Sequence, residues 1–361
     1  MAACPIHFCL VAAILTAVFC APAAGVDVVQ LRKLAAKNNL TCVLVFGDSS
    51  VDPGNNNRLP TTNKGNFPPY GKDFISGGRP SGRFSNGRLA TDLIADALGY
   101  KKIVRGFLDP YLNKMDMMHG VSFASAASGY DELTANISSV ISLSKQLKYL
   151  KHYKIHLRQL IGAEKAERLI NNAVFVISMG TNDFLQNYYV EPTRSQQYTA
   201  DQYVDYLVSS MSSAIKEMHH VGARRVVVVG VPPFGCMPLV LTLRGETKCD
   251  EQLNKLALSF STKVKNSLTK LKGELGIKTS FVDIYNVILT VIQNPKSYGF
   301  EVATKGCCGT GTYEYGTTCR GLTTCPDRTK YVYWDAVHFT ESMYKIVADE
   351  ALETIAVELL N

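Results

Sequence analysis

The sequence predicts an α/β domain in which a parallel sheet is covered by helices on both faces. Two observations carry that expectation. Five short runs are apolar on both faces and rich in β-branched residues, as buried parallel strands are: "CVLVF" (42–46), "GVSFA" (120–124), "AVFVIS" (173–178), "RVVVVGV" (225–231) and "TSFVDI" (279–284). Helical patterns separate them. The stretch 87–99 sets Leu89, Leu93, Ile94 and Leu98 on one face, and similar periodicity marks 140–161, 200–220, 250–273 and 341–360. Strands alternating with helices fold as parallel sheets. With no internal repeat and no low-complexity linker, residues 25–361 read as one domain with long loops.

The segment before it reads differently. Residues 1–24 contain no Lys, Arg, Asp or Glu, and an apolar core from Phe8 to Phe19 runs into small residues with an A-x-A pattern at Ala21–Ala23. This is the pattern of a secretory signal peptide. No other segment reaches the ~18 apolar residues of a membrane span, so stable membrane insertion is not expected. A hydrophobic content of 46% with 19% charged residues suits a globular chain rather than a disordered one. The formal net charge is +7. Its densest basic stretch, Lys145, Lys148, Lys151, Lys154 and Arg158, alternates at helical spacing with Leu143, Leu147, Leu150, Leu157 and Ile161. That is the solvated face of an amphipathic helix, and nothing in the chain resembles a nucleic-acid module.

Beyond the signal segment lie seven cysteines: Cys42, Cys236, Cys249, Cys307, Cys308, Cys319 and Cys325. In an oxidising compartment they are expected as disulfides with one thiol left over. Cys42 is the expected free thiol, because it sits in an apolar strand far from the others. The spacings in "CCGTGTYEYGTTCRGLTTC" match no paired zinc knuckle. Asn39 in "NLT" and Asn136 in "NIS" are N-glycosylation sequons.

Ligands of open parallel sheets bind beyond the carboxyl ends of the strands, so the residues just past each strand matter most. Gly47-Asp48-Ser49 comes after the first, Ser125 to Gly129 after the second, and Met179-Gly180-Thr181-Asn182-Asp183 after the third. "PPFGCMP" comes after the fourth, and "YVYWDAVHFTE" precedes the last helix with Asp335 and His338 three residues apart. A serine hydroxyl becomes a nucleophile only when a base takes its proton. Histidine is that base near neutral pH, and a carboxylate on its other nitrogen fixes tautomer and orientation. The oxyanion formed by attack on an ester needs donors already in place, such as a backbone N–H on a Gly-rich turn or an Asn amide. Each residue alone has an ordinary structural use. Their joint placement at one sheet edge points to Ser49, His338, Asp335, Asn182 and Gly129 as a catalytic set.

The same residues carry a resemblance. "FGDSSVDPGNNN", "GVSFASAASG", "ISMGTNDF" and "YVYWDAVHFTE" resemble, in order, the four sequence blocks of the plant-type GDSL esterase/lipase family of the SGNH hydrolases. "RPSGRFSNGR" (79–88) and "VPPFGCMP" (231–238) resemble further segments of that branch. The resemblance implies a flavodoxin-like three-layer α/β/α fold with a five-stranded parallel sheet. It also implies secretion to the cell exterior (cell wall or apoplast in a plant) and hydrolysis of acyl esters or lipids with neither metal nor organic cofactor. Carried over by position, Ser49 would be the nucleophile, His338 the general base and acid, and Asp335 its orienting partner. Gly129 N–H, Asn182 Nδ2 and Ser49 N–H would serve the oxyanion. Three departures stand out. Ser50 replaces the leucine of "GDSL", alanines stand in "FASAASG" where glycines are common, and Pro53 occupies a variable position.

Other motifs fail on spacing. There is no G-x-S-x-G, "GNFPPYGKD" separates Gly65 from Gly71 by one residue too many for a phosphate loop, and "GTG" at 309–311 comes after no strand. A secreted serine esterase is therefore the expected function. The alternatives are transfer of the acyl group to an alcohol, or a non-catalytic lipid- or cell-wall-binding protein on the same fold.

Overall fold

A computed structural model describes residues 27–75 and 77–361; the signal peptide expected over residues 1–24 lies outside the described residues. At its centre is a six-stranded sheet, parallel throughout: β1 (Val43–Gly47), β2 (Arg105–Gly106), β3 (Val121–Ser122), β4 (Val174–Ser178), β5 (Arg225–Val229) and β6 (Lys278–Val282). Their spatial order is β2-β3-β1-β4-β5-β6. The five expected strands are all present, and taken alone they adopt the 2-1-3-4-5 order of flavodoxin-like sheets. The sheet has one strand more than the five expected. β2 is two residues long and pairs only with β3, too short to leave a periodic trace in the sequence.

β1 and β4 are buried at every position, because helices cover both faces. Helices Leu143–Ile161, Ala200–Val221 and Glu251–Leu275 pack together as one group. Val28–Lys37, Ala90–Ala97, Ile284–Gln293 and Glu341–Glu358 form the other. The first helix of the first group buries Leu143, Leu147, Leu150, Tyr153 and Leu157 and leaves Lys145, Lys148, Lys151 and Arg158 exposed, as expected of a solvated basic face. Among the described residues, no helix is long and apolar enough to cross a membrane.

Register sets up the functional edge. Gly47 pairs with Ser178, Ser178 with Val229, and Val229 with Val282, so four strands end level with one another. Gly47 is glycine for a steric reason, since a Cβ there would lie 2.2 Å from Ser178 O. β3 ends early, and side chains take over the pairing beyond it. Asn55 Nδ2 donates to Ser122 O and Ala124 O, while Gln146 brackets Gly47 by accepting from its N–H and donating to its C=O.

A second, smaller unit lies beside the sheet. β7 (Val302–Gly306) and β8 (Tyr331–Tyr333) form a parallel pair, and between them runs a segment closed by Cys307–Cys325 and Cys308–Cys319. Cys236–Cys249 staples the loop after β5. Loops of these lengths remove about 3 kcal/mol of unfolded-state entropy each in the chain-entropy account. Among the described residues Cys42 is the free thiol, as expected; it is buried, and burial pushes it up to about 12. The stapled segment packs its cysteines with Phe67, Tyr70, Phe84 and Trp334 into a small core of its own.

Candidate active site

Ser49 stands two residues past the end of β1, and His338 stands two residues before the Thr340 side chain that caps the final helix. They meet. His338 Nε2 is 2.8 Å from Ser49 Oγ, and His338 Nδ1 lies 2.9 and 2.8 Å from the two oxygens of Asp335. A carboxylate only accepts, so Nδ1 carries the imidazole proton and Nε2 is left as the acceptor facing the serine hydroxyl. Phe84 packs its ring 4.7 Å from the imidazole, which restricts the ring's rotation.

Asp335 is fully buried, and a buried carboxylate needs donors. It has them. The backbone N–H groups of Val337 and His338 donate to Oδ1 at 2.8 and 2.7 Å, and Tyr70 Oη donates to Oδ2 at 2.6 Å. The Gly316 N–H in turn donates to Tyr70 Oη at 2.7 Å, linking the carboxylate to the disulfide-closed segment. Burial, and after it the charge of Asp335, holds the Tyr70 phenol well above its ordinary range, so it stays a donor.

Asn182 is half-buried at the end of β4. Its Nδ2 donates to Ser128 O at 2.9 Å and reaches Asp48 Oδ2 at 3.5 Å. Its side chain makes no capping bond to the short helix after it, so the capping role common for Asn in such a turn is not the one it plays here. One amide hydrogen is thus on Ser128 O, and the other makes only the long contact to Asp48 Oδ2, which a ligand oxygen would have to displace. Gly129 is buried against Asp183, whose Oδ1 would lie 2.1 Å from a Cβ at that position. From its loop it is Ala126 and Ala127 that line the groove shared with Ser49 and Asn182. Ala127 holds φ at +67°, the left-handed region, at one of the positions where glycine is common in the resembled block.

Several contributors escaped sequence reasoning. Tyr70 sits in "FPPYG", which carries no local sign of its long-range partner Asp335. Asp183 accepts from Tyr130 N, Asp131 N and Thr134 Oγ1 and so ties the second loop to the third. Asp52 accepts from Gly54 N, Asn55 N and Ala126 N, joining the first loop to the second. Burial raises Asp48 and Asp52 to about 6 and Asp183 to about 7. Among the described residues, no group of His, Cys, Asp and Glu is arranged to hold a metal ion. Asn39 and Asn136 are both exposed.

A three-layer α/β/α fold with Ser, His and Asp in contact beyond its strand ends belongs to the flavodoxin-like class of hydrolase folds. The family model described as GDSL-like Lipase/Acylhydrolase matches residues 43–351. GDSL esterase/lipase At5g45950 of Arabidopsis thaliana is 54% identical over 336 residues, covering 93% of this chain and 94% of its own. GDSL esterase/lipase At2g04570 of the same plant is 42% identical over 320 residues, covering 87% and 91%. A solved catalytic mutant of Axe2, an acetylxylan esterase from Geobacillus stearothermophilus, aligns over 87% of this chain and 94% of its own, with a TM-score of 0.41 at 12% identity. The chain belongs to the GDSL lipase/acylhydrolase family, and it is a carboxylic ester hydrolase.

Proposed function

We propose that the protein is a secreted serine esterase that cleaves acyl esters in two steps through a Ser49 acyl-enzyme. The observation that carries this reading is the unbroken contact chain Ser49 Oγ–His338 Nε2 and His338 Nδ1–Asp335. Ser49 Oγ attacks the ester carbonyl carbon while its proton passes to His338 Nε2, and Asp335 stabilises the imidazolium. The carbonyl oxygen becomes an oxyanion held by Ser49 N–H, Gly129 N–H and the Asn182 Nδ2 hydrogen that it takes over from Asp48. Collapse breaks the bond to the alkoxide, which takes the proton from His338 and leaves as the alcohol. Water then gives a proton to His338 as its oxygen attacks the acyl-enzyme carbonyl, the bond to Ser49 Oγ breaks, and His338 returns the proton to Oγ, leaving the acid and free Ser49.

Secretion is supported by the signal-like residues 1–24 together with three disulfides, which form in oxidising compartments. The reading places the enzyme outside the cell, in the cell wall or apoplast where the source is a plant, with residues 25–361 as the mature domain. Exposed Asn39 and Asn136 are then glycan acceptors.

The test is hydrolysis of p-nitrophenyl acetate and butyrate beside labelling by a fluorophosphonate. Wild type is expected to turn over ester and to be labelled on Ser49. Ser49→Ala is expected to fold and to lose both, whereas Ser50→Ala keeps most of its activity. Labelling of Ser49→Ala at the wild-type rate would remove Ser49 as the nucleophile.

A further inference from the structure

Two cavities meet at Ser49. An outer groove of about 690 Å³ is bordered by exposed Tyr189, Val190 and Leu243. An inner chamber of about 90 Å³ runs the other way, over the ends of β4, β5 and β6 and beneath the final helix. Ser49, Thr181, Asn182, Val337 and His338 line both. The rest of the chamber's lining is mostly apolar, with Val176, Val282, Ile94, Val347 and Ala351 all buried in its walls, and Asp48, Thr91, Ser178 and Tyr344 also line it. Nothing in the catalytic chemistry uses it.

An ester has two arms that diverge from the carbonyl carbon. The alcohol arm must depart while the acyl arm is still bonded to Ser49, so it needs a route to solvent that the acyl-enzyme does not block. The outer groove supplies that route, and once vacated it admits the water for the second step. The acyl arm is then left to the inner chamber. Walls that are mostly apolar suit a hydrocarbon tail, because it sheds water on entry, and the polar groups Asp48, Ser50 and Ser178 in the lining have partners within the protein.

Ser50 stands in the chamber wall at its inner mouth, bonded to Ser178 across 2.9 Å. The resembled motif has leucine there. A branched four-carbon side chain in place of CH₂OH would take up room that this chain leaves open. The size of the chamber also bounds the tail. An apolar cavity of roughly 150 Å³ holds a benzene-sized guest, so one of about 90 Å³ suits an acyl group of about four carbons.

Resting on the ester-hydrolase reading above, we infer that the inner chamber is the acyl subsite, that it takes short straight acyl groups up to about butyryl, and that Ser50 sets that limit from its wall. The alcohol half occupies the outer groove. Ser50 is thus a specificity-determining residue and takes no part in proton transfer.

The experiment measures kcat/KM for p-nitrophenyl acetate, butyrate, hexanoate and octanoate with wild type, Ser50→Leu and Ile94→Ala. A second series varies the alcohol at constant butyryl. Wild type is expected to be best at acetate or butyrate and at least tenfold lower by octanoate. Ser50→Leu should lower butyrate at least tenfold relative to acetate. Ile94→Ala, which widens the far wall, should raise hexanoate relative to butyrate about three- to tenfold and decides alone if Ser50→Leu does not fold. Neither variant should reorder the alcohol series. A wild-type optimum at octanoate, or acyl profiles that do not change while alcohol preference does, overturns the subsite assignment alone. Absence of Ser49-dependent hydrolysis of every ester overturns the esterase reading and the subsite with it.

Discussion

Tyr70 Oη donates to Asp335 Oδ2 across 2.6 Å, from a residue 265 positions earlier in the chain. The bond reaches past the His338–Asp335 pair to a ring packed edge-on against Phe67, Phe84 and Trp334. Asp335 is therefore held from two sides, by the backbone of its own turn and by a phenol that the disulfide-closed segment fixes in place.

Tyr70→Phe keeps the ring and its packing and removes only the hydroxyl. Losing a hydrogen bond to a charged group of this kind is worth about 1.5–3 kcal/mol. The expected result is a folded enzyme with kcat/KM down by roughly tenfold. The pH profile separates positioning from mere packing. With one donor fewer, Asp335 attracts the imidazolium proton more strongly, so the acidic limb of kcat/KM should move to higher pH. A lower rate with an unmoved acidic limb would reduce Tyr70 to a structural residue.

Asn182 gives a second, independent check on the oxyanion site. The bond from its amide to Ser128 O fixes the side chain at the cavity mouth that Asn182 shares with Ser49, and no helix cap depends on it. Asn182→Ala should therefore leave the melting temperature within a few degrees of wild type. It should lower kcat by about 10²–10³-fold with little change in KM, the signature of a contact made in the transition state. Asn182→Asp should be worse, because it sets a negative charge beside the developing oxyanion and next to Asp48. An aspartate variant more active than the alanine variant would exclude the oxyanion role.

How far the sequence disclosed this arrangement depends on the range of each interaction. β1, β4 and β5 are legible because burial on both faces leaves runs that are almost entirely apolar, and β6 because its buried end keeps Phe281 and Val282 after a helical stretch. The set Ser49, Asn182, Asp335 and His338 is legible because strand ends gather at one edge. The polar blocks between them are not. Asn55 and Asn56 in "NNN" donate to Ala124 O and Ala126 O, pinning the second loop. Arg83 in "GRFSNGR" forms a buried two-point ion pair with Asp92, and Asn86 Oδ1 accepts from Glu341 N at the start of the final helix. None of these partners can be inferred from spacing, since each lies on a different element. "GNFPPYGKD" has the look of a failed phosphate loop, and its tyrosine holds Asp335. β2 leaves no sequence signal because two residues carry no period.

The buried carboxylates of these loops also predict how stability depends on pH. Burial raises Asp48 and Asp52 to about 6 and Asp183 to about 7, against an ordinary 3.8. Between roughly pH 4 and 7 the folded protein thus keeps protons that the unfolded chain has released, and stability falls as pH rises through that window. His219, held below its ordinary 6.5 by burial and then by Arg224 and His220, opposes that slope in part just below pH 6.5, and the remaining opposition comes in stronger acid. Burial pushes Asp131 upward, but Arg194 and the Leu133 N–H outweigh it and leave it below its ordinary value, so its contribution is lost only as pH falls beneath about 4. The melting temperature is therefore expected to be higher at pH 5 than at pH 8, measured at constant ionic strength. Asp183→Asn should lower the whole curve, because an amide NH₂ then faces the donors that Asp183 accepts. It should also flatten the decline between pH 5.5 and 8, because the group that titrates there is gone. A wild-type melting temperature that is level or rises from pH 5 to pH 8 would show that these carboxylates reach their charged state in the fold at no cost.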